Sequence, residues 1–150
     1  LVSDALLPGR RLFLFATGTG LAPFLSIVRD PELYDRFAQI ILVHSVRGVD
    51  ELAFHDELAA QLADDPLVRD QALLQFHYVP TVTREPFHTQ GRIGALIDSG
   101  ALFRHPVTGP AHLDPACDRV MLCGSTAMIR EFQDRLTGLG YVEGAVSRPG

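Results

Sequence analysis

An apolar segment that ends in two glycines and a proline constrains the fold of this chain most strongly. Leu12–Ala16 reads Leu-Phe-Leu-Phe-Ala, and Thr17-Gly18-Thr19-Gly20 follows shortly before Pro23. The pattern predicts a strand, a tight turn and a helix with Pro23 in its first turn, where the N–H that proline lacks has no partner to lose. Glycines let the backbone approach a ligand closely, and the start of a helix attracts anions. The segment therefore predicts an anionic cofactor site or, since its spacing differs from the dinucleotide fingerprint, a turn without a ligand.

Apolar segments alternate with helical segments along the rest of the chain. The predicted strands cover residues 11–16, 39–46, 74–79, 119–123 and 141–146. Predicted helices cover 21–28, a short segment that Asp30 caps and that ends at Phe37, 51–63 after Asp50, 93–103, and a segment from Ser125 to Leu136, while 81–91 and 105–116 are predicted loops. Strands separated by helices indicate βαβ units. The expected fold is an α/β domain with an open, mostly parallel five-stranded sheet and helices on both faces.

Composition limits the class of protein. The chain has 150 residues, 47% of them hydrophobic, which is enough for one domain with a substantial core. Its net charge of −5, with acids and bases intermixed, argues against a nucleic-acid-binding surface. Its apolar runs are too short for a membrane span, and its six histidines show no metal-ligand spacing, so we expect neither. Cys117 and Cys123 are expected to be free thiols, which fits the cytoplasm.

Candidate functional residues follow the predicted strands. They are Thr17–Gly20 after the first strand, Arg47 after the second, Arg84 after the third and Cys123–Ser125 after the fourth. Because the carboxyl ends of parallel strands share one edge of a sheet, we expect these residues to converge. Arg47 and Arg84 match a phosphate bidentately, although they are also consistent with two unrelated surface arginines. Arg92 is consistent with either role.

The segment Cys123-Gly124-Ser125 has two interpretations. Cysteine at the end of a strand is most often a small buried hydrophobic residue. In the functional interpretation, Cys123 lines a pocket for a flat ring and Gly124 permits close approach. Ser125 and the helix it begins then hold a phosphate. No histidine or acid lies at a spacing that would make Cys123 a nucleophile.

Several segments, taken together, resemble a known family. They are Thr17-Gly-Thr-Gly-Leu-Ala-Pro-Phe24, Val43-His-Ser-Val-Arg47, Pro80-Thr-Val-Thr-Arg84-Glu, Gly91-Arg92-Ile93 and Val120-Met-Leu-Cys-Gly-Ser125 with Met128. In order and spacing they resemble the NADP-binding half of the bacterial-type ferredoxin (flavodoxin)–NADP reductases. The resemblance implies an oxidoreductase that binds NADP(H) and FAD, passes a hydride from NADPH to the flavin, and then delivers single electrons to ferredoxin or flavodoxin.

The resemblance also implies roles for individual residues. Thr19, between Gly18 and Gly20, would contact the flavin or the cofactor phosphates. The adenosine 2′-phosphate would be held by Arg47, Thr83, Arg84 and Arg92. Cys123, the expected catalytic-site residue at the nicotinamide, would line the nicotinamide and pyrophosphate path together with Gly124, Ser125 and Thr126.

The chain departs from the family pattern in three ways. The family's flavin-binding β-barrel and last strand have no counterpart, so residues 1–10 are expected to be a connector from an upstream barrel and 11–150 a truncated NADP-binding domain. Without the flavin domain, the fragment is expected to be inactive. Thr126 stands where the group often has proline. The alternatives are an NADH-dependent flavin reductase, a flavodoxin-like FMN electron carrier and a nucleotide-binding module without catalysis.

Overall fold

A parallel sheet forms the centre of the computed structural model, which describes residues 6–52 and 54–144. Its strand order is β3-β2-β1-β4, and all three strand pairs are parallel. The strands are β1 (Arg11–Thr17), β2 (Gln39–Val46), β3 (Phe76–Val82) and β4 (Asp118–Cys123). The central strands β1 and β2 are apolar and buried along nearly their whole length, as strands covered on both faces must be.

Helices cover both faces of this sheet, as the sequence predicted. They are α1 (Ala22–Ile27), α2 (Pro31–Arg36), α3 (Phe54–Asp64), α4 (Arg69–Gln75), α5 (Ile93–Asp98) and α6 (Thr126–Gly138). Short 3-10 turns lie over Gly18–Leu21, Val49–Leu52 and Ala101–Phe103. None of the helices in the described part of the chain combines the length and apolar character that crossing a membrane requires.

Alternating side chains of β1 enter two separate hydrophobic cores. Leu12 and Leu14 pack in one core with buried residues of α1, α2, α3 and α4. Phe13 and Phe15 pack in the other with residues of α5 and α6, and the rings of Phe15 and Phe132 lie 5.1 Å apart. Burying one large apolar side chain contributes about 1.5–3 kcal/mol, so β1 stabilises the helices on both faces.

The fifth predicted strand is wrong over its described part. Residues 141–144 form no regular element, and 145–150 lie outside the described residues. Gly140 has a φ of +100° and the Tyr141 N–H donates to the Leu136 carbonyl at 3.0 Å, so the chain turns back at the end of α6. Tyr141 then packs against the core between α5, α6 and the sheet.

The boundaries of the third strand also differ from prediction. Leu74 belongs to α4, a helix that the sequence analysis missed, and β3 continues through Pro80 to Val82. Leu73 and Leu74 are 84% and 79% exposed, so they supply none of the buried stripe that reveals a helix in a sequence. Pro80 is tolerated inside β3 because this strand lies at the edge of the sheet, where an N–H can be missing.

Local capping chemistry accounts for the remaining differences. Asp30 accepts the Glu32 N–H at 3.0 Å and caps α2 as predicted. Asp50 instead lies inside the 3-10 turn Val49–Leu52, ahead of α3. The helix predicted over 93–103 ends at Asp98, because Gly100 takes a φ of +78° and a separate 3-10 turn follows.

A buried ion pair fixes the edge of the sheet at which the strands begin. The Asp118 carboxylate accepts from Arg11 Nε at 2.7 Å and from Arg11 Nη2 at 2.6 Å, and both side chains are almost fully buried. Arg11 also donates to the carbonyls of Pro110 and His112, at 3.0 and 2.8 Å. These bonds hold the predicted 105–116 loop against the sheet, opposite the edge at which the candidate functional residues lie.

Candidate cofactor-binding site

A cleft of about 620 Å³ lies at the carboxyl ends of the strands. It is lined by residues that follow all four strands and by the starts of α5 and α6. Eight of the predicted site residues line it: Gly18, Gly20, Arg47, Thr83, Arg92, Cys123, Gly124 and Ser125. The structure therefore brings together residues that are up to 107 positions apart in the sequence, from Gly18 to Ser125.

The floor of the cleft requires two of its glycines. A Cβ at Gly20 would lie 2.7 Å from the carbonyl carbon of Cys123 and 2.8 Å from the Cα of Gly124, closer than side chains tolerate. Gly124 has a φ of +154°, and a Cβ there would overlap the Thr17 hydroxyl. The Thr17 hydroxyl accepts the Ser125 N–H at 3.0 Å and joins the ends of β1 and β4. The ends of these two strands are thus packed backbone to backbone.

The start of α6 forms one wall of the cleft. Ser125 is its N-cap and accepts the Met128 N–H at 3.2 Å, as the sequence predicted. The first N–H groups and the positive end of the dipole of this 13-residue helix lie beside Gly124. Thr126, the first residue of α6, is exposed and is not among the lining residues, whereas Ala127 and Met128 are. This wall suits an anionic group that approaches Gly124 and Ser125.

A buried histidine holds the Gly18–Leu21 turn from below. His44 Nε2 lies 2.9 Å from the Gly18 carbonyl, which only accepts, so Nε2 donates and Nδ1 accepts from the Tyr78 hydroxyl at 3.0 Å. Burial lowers the pKa of His44, against smaller opposing effects of the Gly18 bond and the Glu51 charge. The imidazole is therefore neutral, with its proton on Nε2. The sequence pattern gave no sign of this role for His44 under the turn.

Backbone hydrogen bonds continue past the ends of β2 and β3 and place two arginines side by side. Thr83 N–H donates to the Val46 carbonyl at 2.9 Å, and Arg84 N–H donates to the Arg47 carbonyl at 3.0 Å. The exposed side chains of Arg47 and Arg92 line the cleft, whereas exposed Arg84 is not among the lining residues. Across residues 6–52 and 54–144, none of these three guanidinium groups has a salt-bridge partner.

Cys123 is both a packed core residue and a residue of the cleft, so the structure agrees with both interpretations of its position. It is half-buried, packs against the core of α1–α4, and also lines the cleft. Thr19 belongs to the same 3-10 turn as Gly18 and Gly20. A half-buried thiol beside two glycines gives a flat ring room to approach the ends of the strands.

Sequence reasoning missed two acidic residues in the cleft, Glu51 and Glu131. Glu51 accepts the backbone N–H groups of Arg47 and Gly48 in the loop after β2, and these bonds, chiefly the one from Gly48, keep its pKa below the ordinary value. Glu131 faces Gly94, where a Cβ would lie 3.4 Å from its Oε1. The sequence did carry a signal for Glu51: it follows Gly48 by three residues, which is the spacing of a helix N-cap and the acid that bonds back to it.

Known proteins that resemble this chain in sequence bind nucleotide cofactors, as the cleft suggests. Residues 14–134 match the family described as the oxidoreductase NAD-binding domain. The chain belongs to this family. This NAD-binding domain is 48% identical over 143 residues to a ferredoxin–NADP reductase A of Sorangium cellulosum, which covers 95% of the chain and 51% of that protein. It is 44% identical over 149 residues to a flavodoxin/ferredoxin–NADP reductase of Rhodobacter capsulatus, which covers 99% of the chain and 54% of the relative.

A solved structure shows the same fold as the NAD-binding domain. The ferredoxin NADP+ reductase from Neisseria gonorrhoeae with bound FAD and NADP superposes with a TM-score of 0.74 and 31% identity, over 94% of this chain and 53% of that one. The chain thus spans about half the length of the relatives it matches. The resemblance recognised in the sequence motifs is confirmed.

Proposed function

We propose that this chain is the NADP(H)-binding half of a ferredoxin or flavodoxin–NADP reductase. The proposal is supported by the names of the relatives that are 44–48% identical and by the NADP and FAD of the Neisseria structure. Its chief support in this chain is the group of arginines Arg47, Arg84 and Arg92, which lack salt-bridge partners among the described residues. A phosphate dianion is the ligand that guanidinium groups in such an arrangement match best.

The adenosine 2′-phosphate would bind at the ends of β2 and β3. Arg47 and Arg92 line the cleft there, and the backbone bond from Arg84 to Arg47 keeps the third guanidinium group close by. Thr83 lines the same part of the cleft and its hydroxyl donates to the Val46 carbonyl at 3.3 Å. The three arginine side chains would distinguish NADP from NAD, because only NADP carries a charge at this position.

The pyrophosphate and the nicotinamide would occupy the other end of the cleft. Gly18, Gly20 and Gly124 leave the backbone open, and Ser125 with the start of α6 would stabilise negative charge. Cys123 would lie beside the nicotinamide ring. When bound, NADPH supplies a hydride that FAD accepts, and the task of this chain is to bind and orient the donor. We assign no proton transfer to its residues, and neutral His44 serves to hold the turn.

The flavin would be bound mainly by sequence outside this chain, as in a reductase whose barrel precedes the NADP domain. Residues 1–10 would connect the two parts. The electron acceptor would be ferredoxin or flavodoxin, and the protein would work in the cytoplasm. Alone, the chain would bind nucleotide without reducing an acceptor.

The test is calorimetric titration of the chain with 2′-phospho-AMP and with AMP. We expect clear preference for 2′-phospho-AMP, because charge-assisted hydrogen bonds contribute about 1.5–3 kcal/mol each. Arg47→Ala and Arg84→Ala should each weaken 2′-phospho-AMP binding by roughly tenfold and leave AMP binding nearly unchanged. Arg69→Ala, on α4 away from the cleft, is the matched control and should change neither.

Two other results would replace the proposal. Equal affinity for both nucleotides, unaffected by the arginine substitutions, would indicate an NADH-dependent relative. Tight binding of FMN without binding of either adenine nucleotide would indicate a flavodoxin-like carrier, in which the arginines after β2 and β3 have no ligand.

A further inference from the structure

Three consecutive backbone N–H groups after β2 are bound by carboxylates of this chain. The N–H groups of Arg47 and Gly48 both donate to Glu51 Oε2, each at 2.9 Å. The Val49 N–H donates to Glu85 Oε2, also at 2.9 Å. Consecutive N–H groups that point the same way are a common binding site for phosphate oxygens. Here the chain's own carboxylates bind all three.

The turn after β2 brings Gly48 close to several carboxylates. Gly48 is buried, and a Cβ at this position would lie 2.7 Å from Asp50 Oδ1 and 3.2 Å from Glu85 Oε1. The Glu51 N–H donates back to the Gly48 carbonyl at 3.1 Å, so Glu51 closes a short ring around the glycine. Since Arg47 is also bound through its carbonyl to Arg84, both polar backbone groups of Arg47 are fixed. Its Cα and Cβ direction are therefore set before any ligand binds.

We propose that Glu51 is a positioning residue that determines specificity for the 2′-phosphate. Its carboxylate holds the backbone of Arg47 so that the guanidinium group meets the phosphate without a large ordering cost. Glu85 fixes the next N–H in the same way. Because the backbone donors are occupied, recognition of the phosphate falls to the arginine side chains. This inference rests on the proposed function, since it needs a 2′-phosphate at the end of β2.

The charge of Glu51 and its positioning of Arg47 have opposite effects on the affinity for a phosphate. Glu51 lines the cleft with the same charge as a phosphate. If its charge were all that mattered, its removal would strengthen binding of the anion. If it positions Arg47, its removal releases the loop and weakens binding.

The experiment is titration of 2′-phospho-AMP and AMP into the 150-residue chain and its Glu51 variants. Glu51→Ala should weaken 2′-phospho-AMP binding by about three- to tenfold, the range that corresponds to ordering one long side chain, and leave AMP binding within about twofold. Glu51→Gln should bind as well as the wild type or better, because one amide oxygen can accept both N–H groups. Glu51→Asp keeps the charge but is too short, and should weaken binding as alanine does.

Glu57→Ala, which removes the same charge from an exposed position of α3, is the control and should change neither affinity. Suppose that the wild-type chain prefers 2′-phospho-AMP but that Glu51→Ala and Glu51→Asp bind it as tightly or more tightly. That result would overturn the role of Glu51 and leave the proposed function standing. A wild-type chain without that preference would overturn the proposed function and this inference with it.

Discussion

Gly20→Ala tests whether the ends of β1 and β4 are packed as closely as the structure indicates. The new Cβ would lie 2.7 Å from the Cys123 carbonyl carbon and 2.8 Å from the Gly124 Cα, and both neighbours are backbone atoms. Because no side chain can rotate away, the turn and the end of β4 must separate. Such overpacking costs about 1–3 kcal/mol. For a domain of this size, that lowers the melting temperature by about 2–12 °C.

Gly138→Ala is the matched control, since it adds the same methyl group to another glycine. Nothing lies within 4 Å of a Cβ there, and Gly138 is the last residue of α6. Removing the flexibility of glycine should stabilise the chain by about 0.4–1 kcal/mol and raise its melting temperature. Thermal unfolding followed by circular dichroism measures both variants. A Gly20→Ala chain that melts within a degree of the wild type would refute the close packing of the two strand ends.

Two further predictions concern the stability of the folded chain. Asp118→Ala leaves the buried guanidinium of Arg11 without its counter-charge and should lower the free energy of unfolding in urea by about 3–5 kcal/mol. Asp98→Ala, which breaks an exposed ion pair with Arg135, should lower the free energy of unfolding clearly less. Equal losses in the two variants would contradict a stabilising role for the buried Arg11–Asp118 pair. Since burial holds the folded pKa of His44 below its unfolded value near 6.5, its stability contribution is complete above that pH and is lost as the pH falls. His44→Gln should flatten this part of the stability–pH profile, and an unchanged slope would contradict it.

The central strands and the caps of α2 and α6 were predictable because their causes are local. Leu12–Ala16 is apolar on both faces, and only a strand buried between two layers of helices accounts for that in so short a segment. Asp30 and Ser125 precede their helices directly, so capping chemistry alone places them. Helix α4 was missed because Leu73 and Leu74 face outward, against the rule that connects apolar residues with the core.

The sequence predicted which residues meet in the cleft, because the topology of a parallel sheet decides that. Parallel strands put their carboxyl ends at one edge, which predicted the convergence of Gly18, Arg47 and Cys123. The supporting contacts were not predictable in this way. His44 and Glu51 act through backbone groups of the loops, and those bonds depend on how each loop turns after its strand.

The most direct test of the account is to titrate NADP+ into the isotopically labelled chain and follow backbone amide signals by NMR. We expect the largest changes at the carboxyl edge of the sheet, at Gly18, Gly20, Arg47, Gly124 and Ser125. The loop 105–116, at the opposite edge, should stay unchanged. Changes centred on that loop, or none even at a large excess of NADP+, would contradict the claim that this cleft holds the cofactor.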